Sequence, residues 1–345
     1  FDVKILEKIN NFKVDIIFEF IDISPHYVNE INITGNTRTK DKVIRREIPF
    51  AEGDSINNEL VRKTQRNISK LQFFKSINIK ETINNDLVDV DIDVEEAPTG
   101  QFNFGVAFDS YRGATFISGL QENNIAGDGR NIDLSINTSE NNRVLSFGIV
   151  EPYIFNQNLD FIYDVTYSED NRSDSASYKL NEFNSSIGLR YLLADKLKHS
   201  ISLEYQLKDY TITNSSTVSS IIEKQSGSNS DIILNNSLVY DDLDALIRPT
   251  KGNHVAYFNK LSPATNNENG YVKNIVTYRK YFKQKSNVFS LQSRIGNIFS
   301  VQNEEIPTDD KFSLGGRWLR GFDNYGVGPR NSRTSYTGGN NLIVT

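Results

Sequence analysis

The pattern of hydrophobic and polar positions changes near Pro98. Before this residue, apolar residues recur at both strand and helix spacing. After it, the helix pattern disappears and strict alternation begins, as in Phe102, Phe104, Val106 and Phe108 against the residues between them. Alternation with a period of two is typical of a strand with one apolar face. We count about twelve such segments, many near the ~10 residues of a tilted membrane strand.

The pattern before Pro98 predicts a small α+β domain. Strands are predicted at 14–23 and 27–33, and helical character at 39–48. A second helix, capped by Asn57, is predicted to run to about Leu71. A hairpin turning at 84–86 ends the region, so the order β-α-α-β-β predicts a sheet with helices on one face.

For the second region, alternation fits both a transmembrane β-barrel and a soluble β-sandwich, because each has one polar and one apolar face. Connection lengths favour the barrel. Three connections on one side, predicted at 168–182, 211–231 and 300–338, are long and polar, while several on the other side are short. Outer-membrane barrels have short periplasmic turns and long external loops. The mean hydropathy of −0.47 does not argue against this, since barrel strands are polar at every second position.

Composition excludes several kinds of site. The 345 residues include no cysteine, so a disulfide framework or a thiolate metal site is not possible. His26, His199 and His254 are scattered, and we expect no catalytic residues, metal or cofactor. The basic residues between Arg38 and Arg46 are interspersed with acids in a chain of net charge −6, which favours a solvated helix face over nucleic-acid binding. The many carboxylates are interpreted as solvating a lumen and its loops.

The stretch Gly315–Arg330, GGRWLRGFDNYGVGPR, predicts a structured loop rather than a strand. Its five glycines permit backbone angles closed to other residues, and Pro329 cannot donate to a ladder. Arg320 could pin the loop inside a cavity through a bidentate bond to a carboxylate. It could equally be an exposed arginine on an ordinary turn, and spacing alone does not decide between the two.

Several motifs, in order, resemble the BamA/Sam/Toc-type superfamily of POTRA-plus-barrel outer-membrane proteins. Leu319–Phe322 is similar to the V-R-G-F loop motif of that superfamily, with Leu in place of Val. The residues 35–47 are similar to the opening of its last POTRA domain, and 99–105 to its first barrel strand. The turn 241–252, DDLDALIRPTKG, is similar to a recurring barrel turn. Each motif is weak alone, whereas the ordered set is specific.

The resemblance implies a domain organisation. Residues 1–25 would end a penultimate POTRA domain, 26–97 would form the last one, and 98–345 would form an antiparallel transmembrane β-barrel. The barrel would be incomplete, with about twelve of sixteen strands. Since the chain opens with Phe1 and ends in a strand-like segment, we interpret it as part of a longer protein.

The resemblance also implies sites. The loop motif would be anchored in the lumen, and the first strand would form one side of a lateral gate. A helical lipoprotein would dock on the last POTRA domain, where charged residues surround the first predicted helix. The candidates are, for the loop, Gly315, Gly316, Arg320, Gly321 and Phe322; for the gate, Phe102, Asn103, Phe104, Gly105 and Val106; and for docking, Arg45, Arg46, Glu47 and Glu52.

The function implied is the folding and insertion of β-barrel proteins by edge templating, in the outer membrane with the POTRA region in the periplasm. Expected partners are unfolded outer-membrane proteins, accessory lipoproteins and membrane lipid, with no nucleic acid and no enzymatic activity. The alternatives are a TamA-like insertase, a two-partner secretion pore or, with less support, a passive porin. A porin would not need the domain at 26–97.

Overall fold

The computed structural model describes residues 2–10, 13–21, 26–109, 113–245, 247–263, 270–302, 306–322, 326–330 and 336–345. They fall into two compact units. Unit 1 comprises Phe1–Gly100 and Asn123–Gly129, and unit 2 comprises Gln101–Glu122 and Arg130–Thr345. Among the described residues, no helix combines the length and apolar composition that a membrane span requires.

The elements of the first hundred residues are β1 (Asp2–Asn10), β2 (Lys13–Ile21), β3 (His26–Thr34), α1 (Asp41–Arg45), β4 (Ser55–Ile56), α2 (Asn58–Leu71), β5 (Phe74–Asn84) and β6 (Leu87–Glu96). β1 and β2 pair as an antiparallel hairpin. The other four strands form a sheet in the order β4-β3-β6-β5, in which β3 and β6 run parallel. The predicted class, a small sheet with helices, is confirmed.

Local sequence explains the two main helices. The Asn57 side chain accepts a hydrogen bond of 2.9 Å from the Leu60 amide, as the predicted N-cap requires. α1 is shorter than the predicted 39–48, because the chain leaves the helix at Arg46 and Pro49 disfavours helical angles at Ile48. On β6, the predicted alternation is confirmed: Val88, Val90, Ile92 and Val94 are buried and form the core with residues of β3, α1 and α2.

The loop before α1 is held by one carboxylate at the end of β6. Glu96 accepts hydrogen bonds from the backbone amides of Arg38 (3.0 Å) and Thr39 (2.6 Å) and from the hydroxyl of Thr37 (2.9 Å). Burial alone would raise the pKa of Glu96, but the bonds from Thr39 and Thr37 outweigh it and lower the pKa from 4.5 to about 2. The ionised carboxylate therefore stabilises this loop.

Unit 1 also holds the short segment 123–129 against the same loop. The Lys40 amide donates to the carbonyl of Gly127 (2.9 Å), and the Asn124 side chain donates to the Thr39 hydroxyl (2.8 Å). The ammonium groups of Lys40 and Lys42 lie 2.8 and 3.0 Å from the carboxylate of Asp128. The bonds to the two lysines lower the pKa of this carboxyl, and they outweigh the opposite effect of burial.

The elements of the remaining chain are β7 (Gly100–Asp109), β8 (Gly113–Ile125), β9 (Arg130–Thr138), β10 (Asn142–Glu151), β11 (Leu159–Arg172), α3 (Ser173–Ala176), β12 (Tyr178–Ala194), β13 (Leu197–Ile212), α4 (Ser220–Lys224), β14 (Gly227–Asp241), β15 (Gly252–Ser262), β16 (Tyr271–Gln284), β17 (Asn287–Ser300) and β18 (Asn341–Val344). Consecutive strands are neighbours in one twelve-stranded sheet, from β18 at one edge to β7 at the other. The predicted antiparallel, unclosed barrel of about twelve strands is confirmed.

Side chains separate by face along these strands. On β13, Leu203 and Tyr205 are exposed, while Gln206 and Lys208 are buried on the opposite face. On β14, Ile232 is exposed while Asp231 and Ile233 are buried. Large exposed apolar residues recur on most strands in this way, and the buried face carries the polar and charged groups. We call the buried face the inner face of the sheet.

Two of the three predicted long connections are too long, whereas the third, predicted at 300–338, is observed at 301–340. β11 and β12 pair as far as Arg172 and Tyr178, so the connection predicted at 168–182 is only 173–177. The second connection is 213–226 rather than 211–231. The error has a physical reason: backbone ladders form whatever the polarity of the side chains, so a run of Ser, Glu, Asp and Asn does not end a strand.

We predict that Glu96→Gln weakens the loop at residues 37–46, because an amide offers one acceptor oxygen and no charge to the buried donors. The expected loss is about 1–3 kcal/mol of local protection at neutral pH, measured by amide hydrogen exchange. In the wild type, this stabilisation is complete above the unfolded pKa of 4.5 and is lost as the pH falls towards 2, since the folded pKa is the lower one.

The neighbouring Glu95 provides the matched control. Its side chain is 62% exposed, against 8% for Glu96, and it bonds to Lys75 and Ser76 on the adjacent strand. Glu95→Gln should leave exchange in the loop close to the wild type. Equal exchange in the two variants would mean that Glu96 does not hold the loop.

Candidate functional site

The segment Ile306–Gly316, between β17 and β18, packs on the inner face of the sheet. Ile306 and Phe312 belong to a hydrophobic cluster with Tyr271, Ile298 and Leu342 from β16, β17 and β18. Phe312 also exchanges two backbone hydrogen bonds of 2.9 Å with Gly339. The Phe312 ring lies over Gly296, where an added Cβ would be 2.5 Å from it. A glycine in β17 therefore makes room for the loop.

Asp309 contacts the ends of three strands. Its carboxylate accepts hydrogen bonds from the hydroxyls of Tyr178 (2.8 Å, β12) and Tyr210 (3.0 Å, β13) and forms an ion pair with Arg172 at the end of β11. Both tyrosines are almost fully buried. Val218 and Ile222, from the connection containing α4, pack in the same cluster as these rings, and the Asp309 side chain is 8% exposed.

Asp310 contacts three more positions on the wall. Its carboxylate lies 2.8 Å from the ammonium group of Lys208 on β13 and 3.2 Å from that of Lys260 on β15. Its backbone carbonyl accepts a bond of 2.6 Å from Lys273 on β16. Burial would raise the pKa of Asp310, but the charges of Lys208 and Lys260 outweigh it and hold the pKa well below its usual range. The side chain is thus ionised inside the protein.

The charges of this loop–wall contact are the reverse of those predicted for a contact through Arg320. The sequence predicts a loop arginine bonded to a wall carboxylate, whereas here the loop supplies two carboxylates and the wall supplies four cations. The interpretation of the many carboxylates as solvating groups is wrong for Asp310, which is 6% exposed and paired. A usable signal exists in the sequence, since Lys208 continues the inward row of Glu204 and Gln206 on the alternating strand.

The motif residues follow this anchored segment. Gly316 and Gly321 have positive φ angles of 56° and 91°, as a loop rich in glycine requires. The Gly316 amide donates to the carbonyl of Phe322 (2.9 Å), which closes a compact turn. The guanidinium of Arg294 lies over the Trp318 ring, 4.5 Å from the centre of that ring. Arg320 and Phe322 are exposed. The lumenal anchor role of Arg320 stays a prediction.

The gate residues lie on β7, at one edge of the twelve-stranded sheet. Phe102 and Phe104 are 69% and 70% exposed, and Val106 extends the same apolar row. Asn103 and Gly105 alternate with them. The strand thus offers an apolar face next to an edge.

The four docking candidates differ in exposure. The side chains of Arg45 and Glu52 are 41% and 48% exposed and form an ion pair of 3.1 Å, and Arg45 also bonds Asp41. The side chains of Arg46 and Glu47 are only 18% and 13% exposed, and an added Cβ at Gly129 would lie 2.6 Å from Arg46. Of the four, Arg45 and Glu52 have the more exposed side chains. Within the described ranges, no group of three His, Cys, Asp or Glu residues could hold a metal ion.

Comparison with known proteins agrees with this architecture. Residues 124–345 match the Omp85 superfamily domain, and residues 26–97 match a POTRA domain described as a surface antigen variable number repeat. The chain is 27% identical to the outer membrane protein assembly factor BamA of Neorickettsia risticii over 344 residues. That alignment covers 97% of this chain and 45% of the relative, so the chain spans less than half of that protein.

Solved structures show the same fold. The crystal structure of BamA from Haemophilus ducreyi lacking POTRA domains 1–3 aligns with a TM-score of 0.78 at 21% identity, covering 99% of this chain and 71% of that one. CdiB from Acinetobacter baumannii aligns less well, with a TM-score of 0.52 at 14% identity over 93% and 61% of the two chains. With a POTRA domain followed by an antiparallel barrel sheet, and with a family match across most of that sheet, the chain belongs to the Omp85 superfamily.

Proposed function

We propose that this chain is the core of a BamA-type factor that folds and inserts β-barrel proteins into the outer membrane, with its POTRA region in the periplasm. The observation that carries the proposal is the position of β7. It is the edge strand of a sheet that matches the Omp85 superfamily, and its first residue follows the POTRA domain within a few residues.

The physical basis is backbone pairing. A client strand entering a bilayer cannot leave its amide and carbonyl groups unpaired, because hydrocarbon offers them no partners. An edge strand such as β7 presents an unpaired row of the same groups, and pairing by main-chain bonds reads little of the client sequence. The exposed Phe102 and Phe104 give this edge strand an apolar face, which suits contact with lipid. The process needs no covalent chemistry.

We predict that a photo-crosslinking residue at Asn103, on β7, captures an unfolded outer-membrane protein during its assembly. The control position is Ile187, which is exposed on β12 in the middle of the sheet, where both edges are already paired. Adducts should form at Asn103 in the full-length protein in cells and be at background at Ile187. Equal yields at the two positions would contradict edge templating at β7.

Accessory lipoproteins are the second proposed partner, and the exposed Arg45–Glu52 pair is the proposed contact. Charge reversal at both residues keeps opposite charges at positions 45 and 52 but inverts the charges offered to a partner, and Asp41→Lys, added to this variant, restores an opposite charge beside position 45. We expect this variant to lose co-purification of a lipoprotein with the full-length protein. The same reversal of Glu59 and Arg66, an exposed pair 2.7 Å apart on α2, is the control and should not change recovery. Undiminished recovery with the reversed Arg45–Glu52 pair would exclude this surface.

The third proposed role is that of Arg320 as a lumenal anchor of the loop tip. Arg320→Ala should make the 316–322 turn more sensitive to protease and lower the levels of outer-membrane proteins in cells that depend on the variant. Arg317→Ala, in the same loop, should do less. If Arg320→Ala matches the wild type in both measurements, the motif has no anchoring role.

A further inference from the structure

Two adjacent acidic residues of the loop contact five strands of the wall, four through their carboxylates and one through a backbone carbonyl. Asp309 bonds to residues of β11, β12 and β13, and Asp310 bonds to residues of β13, β15 and β16. Phe312, two residues on, extends the contact to β17 and β18 through the hydrophobic cluster. One short segment therefore reaches most of the sheet except the side that begins with β7.

The loop and the wall stabilise each other through their opposite charges. Lys208, Lys260 and Lys273 point to the same place from three strands, and Lys208 is only 3% exposed. Like charges so close together repel strongly when water is excluded. The carboxylate of Asp310 between Lys208 and Lys260 offsets that repulsion, and the backbone carbonyl of Asp310 accepts a hydrogen bond from Lys273. Withdrawal of the loop would leave buried cations facing one another.

We propose that Asp309 and Asp310 form an internal tie that fixes the relative positions of β11–β16, so that opening of the sheet is confined to its β7 side. The two residues position the wall and do not touch a client. The consequence for assembly rests on the proposed function, whereas the tie itself does not.

The test uses nitroxide labels in the full-length protein in lipid bilayers, since residues 1–345 contain no native cysteine. A label on Ser313→Cys, an exposed residue of the loop, reports whether the segment is immobile. A pair of labels on Tyr167→Cys of β11 and Val276→Cys of β16, both on the exposed face, reports the distance across the wall. The variants are Asp309→Asn, Asp310→Asn and the conservative Asp310→Glu.

The expected result for both Asn variants is a shift of the Ser313 spectrum towards the mobile component and a broader distance distribution between β11 and β16. Asp310→Glu should restore both towards the wild type, because the charge is retained. Asp174→Asn, an exposed acid in α3, is the control and should change neither. Wild-type spectra and distances in the Asn variants would overturn the tie.

If Asp310→Asn does not reach the membrane, Tyr178→Phe combined with Tyr210→Phe tests the same proposal. This pair removes two hydrogen bonds to Asp309 but keeps the rings and all charges, so it should give a smaller shift of the same kind. No shift in this variant would overturn the tie.

A second measurement tests the effect on function. It compares the levels of outer-membrane proteins in cells that depend on each variant. A freed loop with unchanged levels would overturn the positioning role. If the wild-type chain itself fails to maintain those levels, the proposed function fails, and the spectra still decide the tie.

Discussion

Backbone pairing between neighbouring strands is the constraint on which the rest of this chain depends. Twelve strands pair in sequence order, so every strand except the two at the edges has partners on both sides. This pairing is indifferent to side chains, which leaves one face free to be apolar and the other to be polar. The edge strand β7 is the exception, and the proposed pairing with a client strand takes place there.

The inner face shows how charged groups inside the sheet are stabilised by pairing. Its charged groups are paired with one another or with the loop, as Arg190 is with Asp160 and Lys208 is with Asp310. A buried charge is tolerated only when its partner is in place. The loop between β17 and β18 is therefore part of the wall in energetic terms, although it is a connection in sequence.

Sequence alone predicts the elements well where one residue decides the local structure. The alternation on β6 and β13, the Asn57 cap and the turn at Asn85 all follow from period or from backbone preference. It predicts strand ends poorly, because polar strands look like loops. It misses the Asp309 and Asp310 contacts, since their partners lie between 37 and 137 residues away and local patterns do not encode such pairs.

That separation also has a consequence for the order of folding. Each strand pairs with the next one along the chain, so hairpins can form from contacts that are close in sequence. The bond between Arg172 and Asp309 closes a loop of 137 residues, which has a larger entropic cost and must await the strands between them. A nascent chain ending before residue 306 could thus build eleven strands while three lysines converge without the charge of Asp310. The acid pair would then act as a late step that selects correctly registered sheets, because only these bring the lysines within its reach.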